Sequence, residues 1–518
     1  MTLRLPTTSQ SPLTVLLALA AGASTVFAFA PFGLWPVQIA TLALMFWLLN
    51  REAGFRHGAL LGWAYGSGWL IAGVHWLYIS MHRYGGLPSW MAILAVILLG
   101  TSLSVFMALG TGTAAWLKKR WSLGPTAFLL LVMPSVWALI EWTRGWIFTG
   151  FPWVSSGYAH TGSPLAGYAP LIGVYGIALV SALIAGCFAL LPGKKLPLAG
   201  VTALLAAGLG LRGIEWTQPN GSPVSVRLLQ GNVPQEMKFQ PGQIEATLSL
   251  YHDMIVEKPA DLIATPETAI PLLSTQLPPD FLSLLTDFSA KSKSHLILGI
   301  PVSDGPRQYS NSVLGMTPGA GNLYRYDKHH LVPFGEFIPP GFRWFVEMMH
   351  IPLGDFNSAG LLQAPFRVRE QWVLPNICYE DLFGEEIASQ LRASRDGKLP
   401  QATILLNVSN IAWFGDSIAL PQHLQISQMR SIETGRPMLR STNTGMTAVI
   451  GPKGDVTGQL HPFERGTLAA NVQGYGGLTP YSQYGNIPVV AMAILLLAAA
   501  RFLAFPKGKN QPNPLETR

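Results

Sequence analysis

Charge is distributed along this chain in blocks, and that distribution constrains the fold more than any single motif. Charged side chains are sparse up to about residue 211, ordinary from Arg212 to about Tyr484, and sparse again up to Phe505. Overall 12% of residues are charged and 49% are hydrophobic, against the roughly 25% charge of an ordinary soluble protein. The pattern predicts a membrane block (1–212), a water-facing domain (213–484), and a last apolar span with a tail (485–518). The middle stretch holds no 20-residue apolar run, and its roughly 270 residues are ample to bury a core of their own.

A helix crossing the hydrocarbon layer needs roughly 17 to 25 predominantly apolar residues. Eight stretches fit: 13–30, 33–49, 59–79, 90–117, 125–147, 170–190, 196–211 and 487–505. Lys and Arg separate the connections between them into two classes. Arg4, Arg51, Arg56, Lys118, Lys119, Arg120, Lys194, Lys195, Lys507, Lys509 and Arg518 fall at the amino terminus, in alternate loops and in the carboxyl tail. The other loops hold little beyond Arg83 and Arg144. By the positive-inside rule both termini are expected in the cytoplasm and the domain after the seventh span outside it. Ala28-Phe29-Ala30 also fits a signal-peptide cleavage site, and cleavage there would leave every later segment in the same orientation.

The net charge of +7 follows from these clusters. No basic stripe interleaved with aromatics accompanies it, so nucleic acid is not an expected partner. Glu141 and Arg144, three residues apart near the outer end of the fifth span, share one helix face. They read as an interfacial ion pair or as substrate-contact residues. Trp76, Trp90, Trp142, Trp146 and Trp153 read as interfacial anchors.

Between Val224 and Val472, short β-branched runs (224–229, 262–264, 296–302, 372–377, 403–408) alternate with helical patterns (244–256, 281–292, 385–393, 422–434). Such alternation predicts an α/β layered fold, whose chemistry sits just past strand ends. Three segments stand there: Thr265-Pro266-Glu267-Thr268, Tyr326-Asp327-Lys328-His329 after a strand over 322–324, and Asn376-Ile377-Cys378-Tyr379-Glu380-Asp381.

The chain has 2 cysteines, Cys187 inside a span and Cys378 in the domain. A lone thiol on an oxidising side of a membrane is a liability unless it is used or buried. A cysteine nucleophile needs a base or a lowered pKa. Glu267 is a candidate base, and Lys328 a candidate positive charge for the thiolate and for an oxyanion. His329, His330, His350 and His423 show no zinc-ligand spacing, so no metal is expected.

The ordered set Pro266-Glu267-Thr268, Tyr326-Asp327-Lys328 and Asn376-Ile377-Cys378-Tyr379-Glu380 resembles the Glu-Lys-Cys triad of the nitrilase superfamily, the carbon-nitrogen hydrolase-like proteins. The frame of about eight spans around it resembles the apolipoprotein N-acyltransferases of Gram-negative bacteria from end to end. So do Gln230-Gly231-Asn232-Val233-Pro234, the run from Val332 to Pro339, Asn407-Val408-Ser409-Asn410, and Gln422-His423 through Arg436-Pro437. The resemblance implies an α-β-β-α sandwich with Glu267 as general base, Lys328 as oxyanion stabiliser, Cys378 as nucleophile and Glu336, Tyr379 and Glu380 in support. Phe239 stands where many members carry tryptophan, which puts a substrate contact there in question.

The resemblance further implies a ping-pong transfer. Cys378 takes the sn-1 acyl chain of a phospholipid, with phosphatidylethanolamine the expected donor, and passes it to the α-amine of S-diacylglyceryl-cysteine in an apolipoprotein. No cofactor is implied, and the expected state is a monomer in the inner membrane with its catalytic domain in the periplasm. Water must be kept from a thioester, so apolar loops over 342–351 and 411–414 are expected beside the site. Two other readings are a membrane-anchored amidohydrolase, and a transporter or scaffold carrying an inactive domain. Eight spans exceed what anchoring needs, and all three reactive residue types are retained.

Overall fold

In a computed structural model, the structure describes residues 12–51, 54–191, 197–238, 240–306, 308–344 and 355–504. The first block is helical: α1 (Pro12–Ser24), α2 (Trp35–Leu49), α3 (Phe55–Val74), α4 (Ser89–Leu103), α5 (Val105–Arg120), α6 (Met133–Arg144), α7 (Ala169–Leu190) and α8 (Pro197–Leu211). Among the described residues, 3 helical stretches are both long and apolar enough to cross a membrane: Ser89–Arg120, Pro125–Arg144 and Pro164–Leu190. Pro12–Ala28, Trp35–Leu49, Pro197–Leu211 and Ile487–Phe502 are apolar but shorter. At 1.5 Å per residue a 15-residue helix such as α2 reaches about 22 Å, short of the roughly 30 Å hydrocarbon layer.

The middle of the chain folds into two six-stranded sheets. The elements are β1 (Val224–Gln230), α9 (Pro241–Val256), β2 (Leu262–Ala264), α10 (Phe281–Ser292), β3 (His295–Gly305), β4 (Gln308–Met316) and β5 (Tyr324–Asp327). They continue with β6 (Phe366–Val368), β7 (Gln371–Ile377), α11 (Gly384–Ala393), β8 (Ile404–Ser409), α12 (Ala419–Thr434), β9 (Met438–Thr442), β10 (Ala448–Ile450), β11 (Val456–Gln459) and β12 (Gly466–Val472), before α13 (Ile487–Phe502). One sheet runs in the order β12-β1-β2-β3-β4-β5, the other β11-β10-β9-β8-β7-β6. The β1-β2-β3 and β7-β8-β9 pairings are parallel and the outer ones antiparallel.

Side chains alternate across a strand, and that alternation builds three apolar layers. Val224, Val226, Leu228, Leu262, Ala264, Ile404 and Leu406 face between the sheets. Leu229, Ile263, Leu296 and Leu298 face outward onto α9 and α10 through Tyr251, Ile255, Phe281 and Leu285. On the other outer face, Leu374, Leu405 and Met438 pack on Ile387 and Leu391 of α11 and Leu424 of α12. The result is the α-β-β-α sandwich that the resemblance implied.

Helix α12 joins the two blocks. It is almost wholly buried although rich in polar residues, and several of its hydrogen bonds run to the helical block. Gln422 Oε1 accepts from Trp76 Nε1 at 3.2 Å and Trp153 Nε1 at 2.9 Å. Gln425 Oε1 accepts from the Ala30 amide at 3.1 Å, and Glu433 Oε1 from the Val174 amide at 2.8 Å. Trp76 and Trp153 are therefore buried joints between the blocks and not interfacial anchors, whereas Trp90 and Trp146 are exposed at 66% and 51%. The strand expected over 322–324 lies further along the chain, over Tyr324–Asp327. The strand is β5, which takes in Tyr326 and Asp327 because they pair with Val313 and Ser312.

Candidate active site

Glu267 stands on a turn that leaves β2 and is bonded to β3. The Thr265 amide donates to Ile297 O at 2.9 Å, the Gly299 amide to Thr265 Oγ1 at 3.0 Å and the Ile270 amide to Gly299 O at 3.1 Å. Gly299 is required there, since a Cβ would lie 2.1 Å from Pro266 O and 2.9 Å from the Glu267 Cα. Lys328 follows the last residue of β5, with its amide donating to Asn311 O at 2.8 Å. Cys378 follows β7 at a φ of +51°, a left-handed conformation that side chains other than glycine and asparagine seldom adopt.

Glu380 holds that strained elbow. Its Oε2 accepts from the Ile377 amide at 2.6 Å and the Tyr326 hydroxyl at 3.0 Å, and its Oε1 from the His329 amide at 2.7 Å. One carboxylate thereby ties the turn at Cys378 to the residue after Lys328. Tyr379 donates its hydroxyl to Gly150 O at 3.0 Å, in the loop beyond α6. Asn407 Nδ2 donates to Cys378 O at 3.3 Å and Asn376 Oδ1 at 2.6 Å.

Glu267, Glu336 and Lys328 meet around Asn311. Lys328 Nζ lies 3.2 Å from Glu267 Oε1 and 2.8 Å from Glu336 Oε1, and Asn311 Nδ2 donates to each of those oxygens at 2.7 Å. Glu267 Oε2 accepts from the Asn410 amide at 2.8 Å, and Glu336 Oε2 from the Val332 amide at 2.8 Å. A carboxylate oxygen has two lone-pair sites, so Oε2 of Glu267 keeps one for a further donor. Lys328 gives two N–H groups to carboxylates and keeps a third.

Electrostatics follow from this packing. Burial pushes the Glu267 carboxyl up, but Lys328, Asn311, the Asn410 amide and Lys238 together hold it below the ordinary value. Burial opposes charge on Lys328, yet Glu267 and Glu336 outweigh it and raise its pKa. Burial, and next the charge of Glu267, push the Cys378 thiol up to about 12 against the pull of Lys328. The resting arrangement is a neutral thiol beside an ionised carboxylate and a locked ammonium, which suits proton transfer during attack more than a standing thiolate.

The structure brings Glu267, Lys328, Cys378, Glu336, Tyr379 and Glu380 together. Glu141 and Arg144 lie elsewhere, buried in α6. Glu141 accepts from the Ser156 amide at 3.1 Å, while Arg144 donates to Phe151 O, to Trp153 O at 3.1 Å and to Ser155 Oγ at 3.1 Å. They shape the loop that Tyr379 touches. Phe239 lies outside the described residues, as do His350 and much of 342–351. The 411–414 segment is a short helical turn whose Phe414 packs on Trp76, with centroids 4.3 Å apart. His330 bonds Glu386 and Thr149 O, both at 2.8 Å. Asn311 and Lys238 carry no expectation from the sequence, and Asn410 appears there only as the last residue of Asn407-Val408-Ser409-Asn410, with no role. Lys238 alone left a signal, a lysine between Met237 and Phe239.

A two-sheet sandwich with helices on both faces and a lone cysteine at a strained strand end defines the carbon-nitrogen hydrolase class, and the family model described as "Carbon-nitrogen hydrolase" matches residues 225–481. Residues 21–187 match "Apolipoprotein N-acyltransferase N-terminal domain". A protein of Ralstonia nicotianae named apolipoprotein N-acyltransferase is 49% identical over 95% of this chain and 92% of its own. One of Nitrosomonas europaea with the same name is 45% identical over 94% and 97%. The chain belongs to the apolipoprotein N-acyltransferase family, a membrane-bound bacterial family of acyltransferases. An amidase from a Nesterenkonia species is also similar, at 20% identity and a TM-score of 0.37, over 49% of this chain and 91% of that one.

Proposed function

We propose that the chain transfers a fatty acyl group from the sn-1 position of a phospholipid, phosphatidylethanolamine being the donor, to the N-terminal α-amine of S-diacylglyceryl-cysteine in apolipoproteins. In this reading Glu267, Lys328 and Cys378 react, while Glu336, Tyr379 and Glu380 hold them. Glu267 Oε2 takes the thiol proton as sulfur attacks the ester carbonyl. The third N–H of Lys328 meets the oxyanion. The carbon-oxygen bond then breaks, and Glu267 returns the proton to the departing lysophospholipid oxygen. The neutral amine next attacks the thioester, a carbon-nitrogen bond forms, the carbon-sulfur bond breaks, and the amine proton passes through Glu267 to sulfur.

The observation that carries this reading is the shared seam: the turn bearing Cys378 is bonded through Tyr379 to Gly150 of the helical block. A nucleophile placed there meets substrates whose acyl chains stay in lipid. The reading includes eight spans, both termini in the cytoplasm, a membrane domain over 1–212, a periplasmic catalytic domain over 213–484, a last span and tail over 485–518, residence in the Gram-negative inner membrane, and action as a monomer. Intact mass spectrometry after incubation with phosphatidylethanolamine tests it. One acyl increment on Cys378, discharged by a diacylated lipopeptide, is expected. Release of free fatty acid with no transfer would make the chain an amidohydrolase-like enzyme instead.

A further inference from the structure

Among the described residues, Lys238 is an ionisable side chain at the reaction centre that the scheme above leaves unused. It is 1% exposed, and among the described residues its Nζ has one hydrogen bond, to the main-chain oxygen of Glu267 at 3.3 Å. No carboxylate among the described residues lies within ion-pair distance of it. Lys328 has two. Burial with no carboxylate bonded to its Nζ works against the charge on Lys238 and makes its proton easier to give up than that of Lys328. Its segment is held in place: the Val233 amide donates to Asn443 Oδ1 at 2.9 Å, and Asn410 Nδ2 to Gln235 Oε1 at 2.9 Å.

We infer that Lys238, in its neutral form, takes the surplus proton from the incoming α-ammonium and so makes the amine a nucleophile for the acyl-enzyme. The inference rests on the aminolysis reading above. An N-terminal amine has a pKa of about 7.7–8.0 and arrives largely as the ammonium, with one proton more than the transfer can use. Glu267 handles the proton lost during attack, and the ammonium's proton needs a second acceptor. Lys238 takes it, the free amine attacks, and Lys238 gives it to water as product leaves.

The groups facing Lys238 fit this role. Burial lowers its pKa to about 8, against the raising charges of Glu267, on the turn after β2, and of Cys378, at the end of β7. Glu236, on its own turn, is engaged with Arg83 at 2.8 Å, and Glu336 is spent on Lys328.

The test separates the two half-reactions of the full-length enzyme, with labelled phosphatidylethanolamine as donor and a diacylated lipopeptide as acceptor. Lys238→Met is expected to form the Cys378 acyl-enzyme, which also shows that it is folded, and to pass the chain on up to about 10-fold more slowly near pH 7, the reciprocal of the fraction of acceptor that is free amine there. The deficit should shrink as pH rises and the acceptor supplies its own free amine. Lys238→Arg keeps the charge but accepts no proton, and should be as slow as Met. Equal slowing of both halves, a deficit unchanged by pH, or rescue by Arg would overturn the inference while leaving the acyl-transfer reading intact. Failure of the wild-type enzyme to acylate Cys378 would remove that reading, and this inference with it.

Discussion

The ammonium of Lys328 lies closer to Glu336, at 2.8 Å, than to Glu267, at 3.2 Å. Glu336 thus shares the pairing with Lys328, and Lys328 is not left to Glu267 alone. Glu336→Gln should draw Lys328 onto Glu267 and weaken it as a base. We expect lysophospholipid release in the first turnover to slow about 10-fold, the equivalent of about 1.4 kcal/mol, with the fold kept. An unchanged burst rate would remove this division of labour.

Cys378→Ala and Cys378→Ser should both abolish transfer, because the sulfur carries the acyl chain. Cys187→Ala, in α7, should transfer at the wild-type rate. Intact mass of each variant after exposure to phospholipid provides the check, and an acyl increment on Cys378→Ala would sink the thioester mechanism.

Removing Lys328 takes away both the oxyanion donor and the charge that favours sulfur ionisation. Lys328→Ala should cost acylation at least about 10²- to 10³-fold. Lys328→Arg should recover little, since a planar guanidinium cannot occupy a pocket shaped around a compact ammonium. Stopped-flow release of lysophospholipid would measure both.

Acylation should vary little between about pH 5 and pH 9. The sign follows from two opposite displacements. Glu267 is held below the ordinary carboxyl value of 4.5, so it remains ionised as acid is added and loses its function only below that point. The Cys378 thiol, pushed up to about 12, remains protonated through the alkaline side. A rate that climbs tenfold per pH unit near neutrality would show that a standing thiolate is the reactant.

Gly299→Ala changes no reactive group, yet a Cβ there meets Pro266 O at 2.1 Å. The Glu267 turn must shift, and a displacement of about 1 Å can cost about 10²-fold in rate. Single-turnover acylation with thermal unfolding measured alongside would separate this from a loss of stability. Full activity would show that the turn relaxes without moving the carboxylate.

The sheet alternation, the strand ends and the three reactive segments were legible because each depends on residues near one another in sequence. Leu262 to Ala264 announces its strand, and Glu267 follows at once. Asn311 was not legible, and Asn410 only as the end of a motif without a role: each acquires its meaning when the sheets bring it to Glu267. Trp76 and Trp153 misled for the same reason. Tryptophan at a helix end suits a lipid interface, and only the arrival of Gln422 from more than 260 positions away turns both indoles inward. Kinks and turns at Ser104, Thr25–Ala28 and Phe128–Val132 break runs that read as evenly apolar in the sequence.

Helix α12 finishes its hydrogen bonds on groups of the other block, at Trp76, Trp153, Ala30 and Val174. A sandwich that ends in its own surface can be cut out, fused to a new partner and traded among proteins as a unit. This one has no such edge. Excised, it would present to water a helix whose Ile426, Met429 and Ile432 pack in one apolar cluster with the helical block. Its inheritance is therefore tied to that of the helices it rests on, and the two can change only together.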